Sequence, residues 1–249
     1  METAKVALIT GAARRIGAAL TRRLHQSGYR VLIHYHDSAA AARTLCAELE
    51  AKRPDSAKLL CADLADAGEI TGLAGQALAG WGYIDALINN ASCFYPTPFG
   101  KITWQDWEQL INTNLRGPFF LCQALAPSLR QRQGSIINLV DVYAERPLAE
   151  HSVYSISKSG LAMLTRSLAW ELGPEIRVNG IAPGAILWPE QDTGASLSAQ
   201  AKSALLEKTA LKRLGSPEDI CSAALFLLEQ APQITGQIIN VDGGRTLNQ

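Results

Sequence analysis

The stretch VALITGAARRIG, residues 6–17, indicates the fold most strongly. A short apolar run leads into a turn that contains glycine, and Leu20 and Leu24 then begin a helical apolar stripe. Such a turn directs free backbone N–H groups and the positive end of a helix dipole at one point, which suits the pyrophosphate of a dinucleotide. The middle glycine of the usual fingerprint is missing and Arg15 stands in its place, so a plain strand-to-helix turn stays open as the alternative.

Apolar runs and helical patterns alternate from this stretch to the end of the chain. The further runs cover residues 31–33, 58–61, 84–88, 135–140, 177–181 and 237–241. This alternation predicts an α/β fold, with one Rossmann-like domain over residues 1–249. Its seven strands should form a doubly wound parallel sheet with right-handed crossover helices.

Local signals also predict where three helices begin. Two pairs have capping-box spacing, and one N-cap is followed by a first-turn proline and an acid: Asp66 with Glu69, Thr103 with Asp106, and Ser216 with Pro217 and Asp219. These acids are therefore interpreted as structural.

Composition narrows the class of partner. The chain has 23 basic and 23 acidic side chains, so it has no net charge to attract nucleic acid or an anionic membrane. No apolar run is long enough to span a bilayer, and the N-terminal run is too short for a signal peptide. We expect a cytoplasmic protein whose partners are small molecules and other subunits.

Cysteine and histidine spacing favours neither a disulfide framework nor a metal site. The five cysteines are scattered without a C-x-x-C pair and are interpreted as small buried side chains: Cys46, Cys61, Cys93, Cys122 and Cys221. His34 and His36 would share one face of a strand, but no third metal ligand is spaced to join them. We therefore expect them to border a cofactor.

Tyr154 and Lys158 lie four residues apart in YSISK, within a long helical pattern. At this spacing the Lys158 ammonium would lie near the Tyr154 phenol and lower its pKa, which would suit proton transfer near neutral pH. Asp141 lies at the end of a predicted strand and adds an acid to the pair. A Y-x-x-x-K pattern also arises often by chance, so its context has to decide.

Polar or glycine-containing sequences follow most of the predicted strands. In parallel α/β sheets, ligands bind beyond the carboxyl ends of the strands. The residues that follow strand ends, and that should therefore converge on one edge, are Gly11, Asp63, Asn89, Asp141 and Pro183.

These ordered motifs resemble the short-chain dehydrogenase/reductase family along the whole chain. The motifs are TGAARRIG, Asp63, NNAS, NTNLRGPF, YSISK, Pro183-Gly184 and VDGG. The resemblance implies that Tyr154 donates a proton and that Lys158 lowers its pKa and holds the nicotinamide ribose. It also implies that Asn114 supports a water-filled proton path, although a solvated mid-helix asparagine is the alternative reading of that residue. It further implies a homotetramer formed through the helices that carry Asn114 and Tyr154 and through the C-terminal edge.

A set of cofactor-binding residues follows from the same resemblance. It comprises Gly11, Arg14, Arg15, Ile16, His36, Ser38, Asp63, Leu64, Asn90, Ala91, Ser92, Tyr154, Lys158, Pro183 and Gly184.

Asp141 departs from the common family pattern, which has a catalytic serine at this position. A carboxylate there would repel a developing alkoxide, but it could relay protons to ring nitrogens. The pteridine reductases of the family share the substitution, and TGAARRIG, HYHDSAAAA, NNASCFYPTP and INLVDVYA resemble their segments. This resemblance implies an NADPH-dependent reductase that converts a dihydropterin or dihydrofolate to its tetrahydro form.

The same likeness implies where such a substrate would bind. Arg15 and Ser92 would contact the pterin or the cofactor phosphates, Phe94 would stack on the flat ring, and Asp141 and Tyr154 would face it. For Phe94 the alternative is a loop aromatic that packs into the core.

The choice of NADPH rests on the end of the second strand. Arg14, His36 and Ser38 could bind a 2'-phosphate, whereas the Asp37 carboxylate would repel one. That objection weakens if Asp37 points to solvent or pairs with Arg14.

Two other functions remain open, and one further segment has a predicted role. The enzyme alternative is a general carbonyl reductase, for example of a 3-oxoacyl thioester, and the non-enzyme alternative is an NADP(H)-sensing binding protein. Residues 185–203 lie where a lid over the substrate is expected, with an ordinary surface loop as the alternative.

Overall fold

The computed structural model describes residues 3–186 and 198–247, apart from the side chains at 199 and 202. Its seven strands are β1 Val6–Ile9, β2 Arg30–Tyr35, β3 Ala57–Cys61, β4 Ala86–Asn89, β5 Ser135–Leu139, β6 Arg177–Pro183 and β7 Ile238–Val241. They form one sheet in the order β3-β2-β1-β4-β5-β6-β7, and all neighbouring strands are parallel. The predicted doubly wound sheet is therefore confirmed.

Helices cover both faces of the sheet. They are α1 Arg15–Gln26, α2 Ala39–Lys52, α3 Ala67–Trp81, α4 Trp104–Ile111, α5 Gly117–Gln131, α6 Ser152–Glu171, α7 Ala199–Glu207 and α8 Pro217–Glu229. A π-helical turn, Asn112–Arg116, joins α4 to α5, and 3-10 turns cover Val142–Ala144 and Arg245–Leu247. Among the described residues, no helix is long and apolar enough to cross a membrane.

Side chains that alternate along the strands build two core layers. In β1, Ala7 and Ile9 pack with α1 and α8, whereas Val6 and Leu8 pack on the opposite face with α3 and α5. Because the central strands β1, β4 and β5 are buried on both faces, each appears in the sequence as a nearly continuous apolar run. The strand order reverses between β1 and β4, which places the ligand-binding edge at the ends of these two strands.

The predicted helix starts are correct at all three positions. A reciprocal capping box starts α4 at Thr103, and at the start of α8 the Asp219 carboxylate accepts from the Ser216 N–H and hydroxyl. Asp66 accepts hydrogen bonds from the N–H groups of Gly68 and Glu69, as predicted for a cap. The Glu69 carboxylate, however, accepts from the Asp63 N–H at 2.7 Å instead of returning to Asp66. It therefore ties the end of β3 to α3.

The interpretation of all five cysteines as buried was wrong in part. Cys122 and Cys221 are buried, Cys46 and Cys93 are partly buried, and Cys61 is exposed. Cys61 is the last residue of β3, an edge strand, where its side chain lies near the surface.

Candidate functional site

The turn after β1 requires glycine at two positions. Gly11 has a φ of +60°, and a Cβ added to it would lie 2.9 Å from the Ala91 Cα. A Cβ on Gly17 would lie 2.1 Å from the Gly11 carbonyl oxygen. Arg15 has a φ of +50°, so an arginine adopts the left-handed backbone that glycine favours. The glycine that is missing from the usual fingerprint is thus replaced without loss of the turn.

The end of β4 holds this turn in place. Thr10 Oγ1 accepts hydrogen bonds from the N–H groups of Asn90 and Ala91, at 2.9 Å and 3.0 Å. The Asn90 side-chain amide donates to the carbonyl oxygens of Thr10 and Gly11. The sequence NNAS therefore braces the glycine turn from the neighbouring strand.

His34 is a second brace, which the sequence placed near the cofactor without a defined role. Its Nδ1 accepts from the Gly11 N–H at 3.1 Å, and its Nε2 lies 3.0 Å from the Ala62 carbonyl oxygen. Burial lowers the pKa of His34 to about 4, so the ring is neutral at pH 7. The Nε2 atom then carries the hydrogen and donates a hydrogen bond to the Ala62 carbonyl oxygen. One ring thus joins the ends of β1, β2 and β3.

A cleft of about 390 Å³ opens beside this turn. The predicted cofactor residues that line it are Gly11, Arg14, Arg15, Ile16, His36, Asp63, Leu64, Asn90, Ala91 and Ser92. Other lining residues, not predicted as cofactor ligands, are Gly17, His34, Ala62, Cys93, Gln109 and Thr113. Ser38, Tyr154, Lys158, Pro183 and Gly184 lie outside this lining. A closely packed glycine turn, a helix start and two arginines suit the pyrophosphate of a dinucleotide.

The Asp37 side chain points to solvent. It is 90 % exposed, and its carboxylate lies 3.5 Å from His36 Nε2. The sequence had considered a pair with Arg14, whereas the structure shows His36 as the partner. An exposed carboxylate repels a phosphate less than a buried one, because water screens its charge.

Asp141, Tyr154 and Lys158 meet beyond the end of β5. The Tyr154 hydroxyl donates to Asp141 Oδ2 at 2.7 Å, and Asp141 Oδ1 accepts from the Tyr143 N–H at 2.9 Å. Lys158 Nζ lies 5.8 Å from the centre of the Tyr154 ring and donates to the Leu139 carbonyl oxygen at 2.8 Å. Three of the four predicted catalytic side chains are therefore brought together.

The pKa of Tyr154 shifts in the direction opposite to the one predicted. Burial raises it well above its ordinary value, and the Asp141 carboxylate adds to the rise. Burial also raises the pKa of Asp141, while the Tyr143 N–H, the Tyr154 hydroxyl and the charges of Lys158 and Arg245 oppose that rise. Burial lowers the pKa of Lys158 to about 8. At neutral pH the phenol therefore holds its proton, as a proton donor must.

Asn114 is buried in the π-helical turn Asn112–Arg116, so the alternative of a solvated asparagine was wrong. Its Oδ1 accepts from the Cys93 N–H and the Ser92 hydroxyl, and its Nδ2 donates to the Cys93 carbonyl oxygen and to Ser157 Oγ. Ser157 Oγ in turn donates to the Tyr154 carbonyl oxygen. Asn114 thus connects the segment after β4 to the start of α6, and its part in a proton path stays a prediction.

Phe94 presents an aromatic surface beside Tyr154. It is 54 % exposed, so the alternative of a core-packed ring was wrong. Its ring makes an edge contact with Tyr154, with centroids 4.7 Å apart, and stacks on His151 at 4.7 Å and 17°. Sequence reasoning missed His151, whose position three residues before Tyr154 was the available signal.

Pro183 and Gly184 end β6 at the same edge of the sheet. A Cβ on Gly184 would lie 2.7 Å from the Asp242 Cα, so β6 and β7 end in close contact. A second cleft, of about 420 Å³, lies beyond them and includes Ala185 and Ile186. Residues 187–197 of the predicted lid lie outside the described residues, and the rest of that segment includes the start of α7. Within the part of the chain that is described, no group of three metal-ligating side chains occurs.

Comparison of the sequence with known proteins shows that this chain is similar to oxidoreductases. A family model described as enoyl-(acyl carrier protein) reductase matches residues 11–246. Pteridine reductase 1 of Leishmania tarentolae is 36 % identical over 288 aligned positions, which cover 99 % of this chain and 98 % of that protein. The 3-oxoacyl-(acyl-carrier-protein) reductase FabG of Staphylococcus aureus is 36 % identical over 247 positions, covering 98 % and 99 %. The probable galactose dehydrogenase GalD of Rhizobium meliloti is 34 % identical over 241 positions, covering 95 % and 93 %.

Proposed function

Because the chain belongs to the short-chain dehydrogenase/reductase family, we propose that it is an NADPH-dependent pteridine reductase, which converts a dihydropterin to a tetrahydropterin. The observation that carries the proposal is the hydrogen bond from the Tyr154 hydroxyl to the Asp141 carboxylate, 2.7 Å long. Tyrosine and an acid in contact form a proton-transfer pair suited to a ring nitrogen. Identity alone does not choose the substrate, since two relatives with different reactions are equally similar.

The cleft beside the glycine turn would hold the cofactor. Gly11, Gly17 and the start of α1 suit its pyrophosphate, and Arg14 with His36 would face a 2'-phosphate. NADPH supplies the hydride when it is bound. Asp37 does not oppose this choice strongly, because its carboxylate is exposed and lies beside His36.

Tyr154 and Asp141 would deliver the proton that accompanies the hydride. Burial keeps the phenol protonated at neutral pH, and the carboxylate holds the hydroxyl in one orientation. Once Tyr154 has given its proton to a substrate nitrogen, the Lys158 ammonium near its ring would stabilise the phenolate. The Asp141 carboxylate, 2.7 Å from the Tyr154 oxygen, would then take up a proton from solvent and pass it to the phenolate.

Phe94 would hold the substrate ring over this pair. Its exposed face and its edge contact with Tyr154 suit a flat heterocycle. Ser92 and Arg15 line the adjacent cleft, where they would contact the pterin or the cofactor phosphates. His151 now covers one face of Phe94, so a pterin would stack on the other face or displace the imidazole.

The second candidate is reduction of a 3-oxoacyl thioester, which the equal identity to the Staphylococcus aureus enzyme favours. That reaction places negative charge on the substrate oxygen, and this oxygen would lie close to the Asp141 carboxylate. A neighbouring carboxylate raises the energy of such an alkoxide, which favours the pterin.

The test is to follow NADPH oxidation with dihydrobiopterin, dihydromonapterin, dihydrofolate and a 3-oxoacyl thioester in parallel. We expect rapid oxidation with a pterin or folate, and none with the same substrate in the Tyr154→Phe variant, which should still bind NADPH. Oxidation with the thioester alone would overturn the pterin assignment. Cofactor binding without oxidation by any substrate would favour an NADP(H)-sensing protein.

We also propose that the protein is a homotetramer. Large apolar side chains are exposed on α4, α5 and α6: Trp104, Phe119, Phe120, Met163 and Trp170. Apolar surface of this extent is typical of an interaction face. Light scattering should give four times the mass of the chain, and a monomeric mass would reject the proposal.

A further inference from the structure

We propose that Arg245, on the last described turn of the chain, is a positioning residue for the Asp141–Tyr154 pair and acts through Tyr143. The inference rests on the proton-transfer role proposed for that pair. Arg245 lies after β7, where no site residue was predicted, and it would orient Asp141 and favour its ionised form.

The turn after β7 is built to hold Arg245 in one place. Asp242 Oδ1 accepts from the Gly244 N–H, and Oδ2 accepts from the Thr246 N–H, each at 2.8 Å. Gly243 and Gly244 have φ values of +63° and +80°, which glycine adopts without strain. Arg245 therefore starts from a fixed backbone and lies partly buried.

Arg245 reaches the active-site pair through one aromatic side chain. Its Nη2 donates to the Tyr143 hydroxyl at 3.0 Å, and its guanidinium carbon lies 5.3 Å from the centre of the Tyr143 ring. The backbone N–H of the same tyrosine donates to Asp141 Oδ1 at 2.9 Å. Asp141 Oδ2 is left to accept from Tyr154. The contacts thus form a continuous path from Arg245 to the phenol.

The charges around Asp141 show what this path does. Helix α6 contributes Tyr154 and the Lys158 ammonium, the 142–144 turn contributes Tyr143, and the C-terminal turn contributes Arg245. Burial favours the protonated acid, and the two cations oppose it. Lys158 loses its own proton with a pKa of about 8, whereas arginine stays charged. Arg245 therefore adds to Lys158 a second positive charge that favours the ionised form of Asp141.

The first experiment compares Arg245→Met, Tyr143→Phe and the double variant, with Arg130→Met as control. Arg130 lies in the last turn of α5, just before β5, and pairs with Glu175, just before β6. It is therefore near the amino ends of these strands, whereas Asp141 follows the carboxyl end of β5. With whichever substrate the protein reduces, Arg245→Met should move the Asp141 limb of the kcat/KM profile upward by about half a pH unit. Adding Tyr143→Phe should change the limb little further, because both changes break one path. An unmoved limb, or fully additive shifts, would overturn the inference.

A second measurement needs no substrate, so it separates this inference from the proposed function. Asp141 has a folded-state pKa above its unfolded value, so it lowers the free energy of unfolding as pH rises through that folded pKa. Arg245→Met should extend this loss to higher pH. The extra loss between pH 5 and pH 8 should disappear in an Asp141→Asn background. An equal loss of stability at both pH values, in both backgrounds, would show a purely structural role and overturn the inference.

Discussion

Replacing Asp141 with serine is the change that best separates the two candidate reactions. Serine is the side chain that most of the family has at this position, and it can still cap the 142–144 turn by accepting from the Tyr143 N–H. The change removes the acid and its 2.7 Å bond with the Tyr154 hydroxyl. Asp141 does not line the cofactor cleft, so we expect NADPH binding to be unchanged.

The expected loss follows from the bond that is removed. A hydrogen bond to a charged group contributes about 1.5–3 kcal/mol. If that contribution is made mainly in the transition state, the Asp141→Ser variant should lose about 10- to 150-fold in kcat/KM for a pterin. For a 3-oxoacyl thioester kcat/KM should rise, because a hydroxyl donor replaces a carboxylate that repels the alkoxide.

The assay is NADPH oxidation with each substrate, accompanied by a thermal melt and a cofactor titration. The matched control is Asp141→Asn, which keeps the shape and the cap but cannot carry a proton. Both variants should lose pterin reduction. Retention of the original kcat/KM in a folded Asp141→Ser variant would refute the proton relay, and retention in Asp141→Asn alone would reduce the role of Asp141 to hydrogen bonding.

Three further changes test other parts of the site. Phe94→Ala should raise the KM for a pterin about 2- to 12-fold, since aromatic stacking contributes about 0.5–1.5 kcal/mol, and an unchanged KM would exclude the stacking surface. Arg15→Gly should leave the thermal midpoint equal or higher, because φ is +50° there, while the NADPH Kd rises; a lower midpoint with an unchanged Kd would contradict this. His34 has a pKa of about 4 in the folded chain against 6.5 for its ordinary value, so stability should fall by about 3 kcal/mol as pH drops through that window. His34→Gln should lack this component in denaturant titrations, and an identical pH dependence would refute the buried neutral ring.

The sequence predicted the sheet and the edge that carries the site because strand burial is a local signal. Each strand of a parallel sheet is covered on both faces, so the apolar runs coincided with strands, with small errors such as the start of β4 at Ala86 instead of Ile84. Parallel strands direct their carboxyl ends to one edge, so Gly11, Asp63 and Asp141 were grouped without knowledge of any contact.

What the sequence could not predict depended on contacts between distant segments and on burial. The spacing of Tyr154 and Lys158 placed the two side chains together, but it gave no sign that the ammonium would donate to the Leu139 carbonyl oxygen. Nor did it show that burial and Asp141 would raise the phenol pKa. Arg245 was missed for the same reason, because the fold alone brings the turn after β7 to the turn after β5.

The protonation of Tyr154 and Asp141 bears on the direction of the reaction. A dehydrogenase that oxidises an alcohol needs a base, so its tyrosine must lose a proton near neutral pH. Here burial and the adjacent carboxylate both act against loss of the phenol proton, while burial draws the carboxylate itself towards its protonated form. A tyrosine that holds its proton at neutral pH is suited to give that proton away. The acid that takes the place of the family's serine therefore favours reduction over oxidation, and a substrate whose product gains a proton on nitrogen over one that passes through an alkoxide.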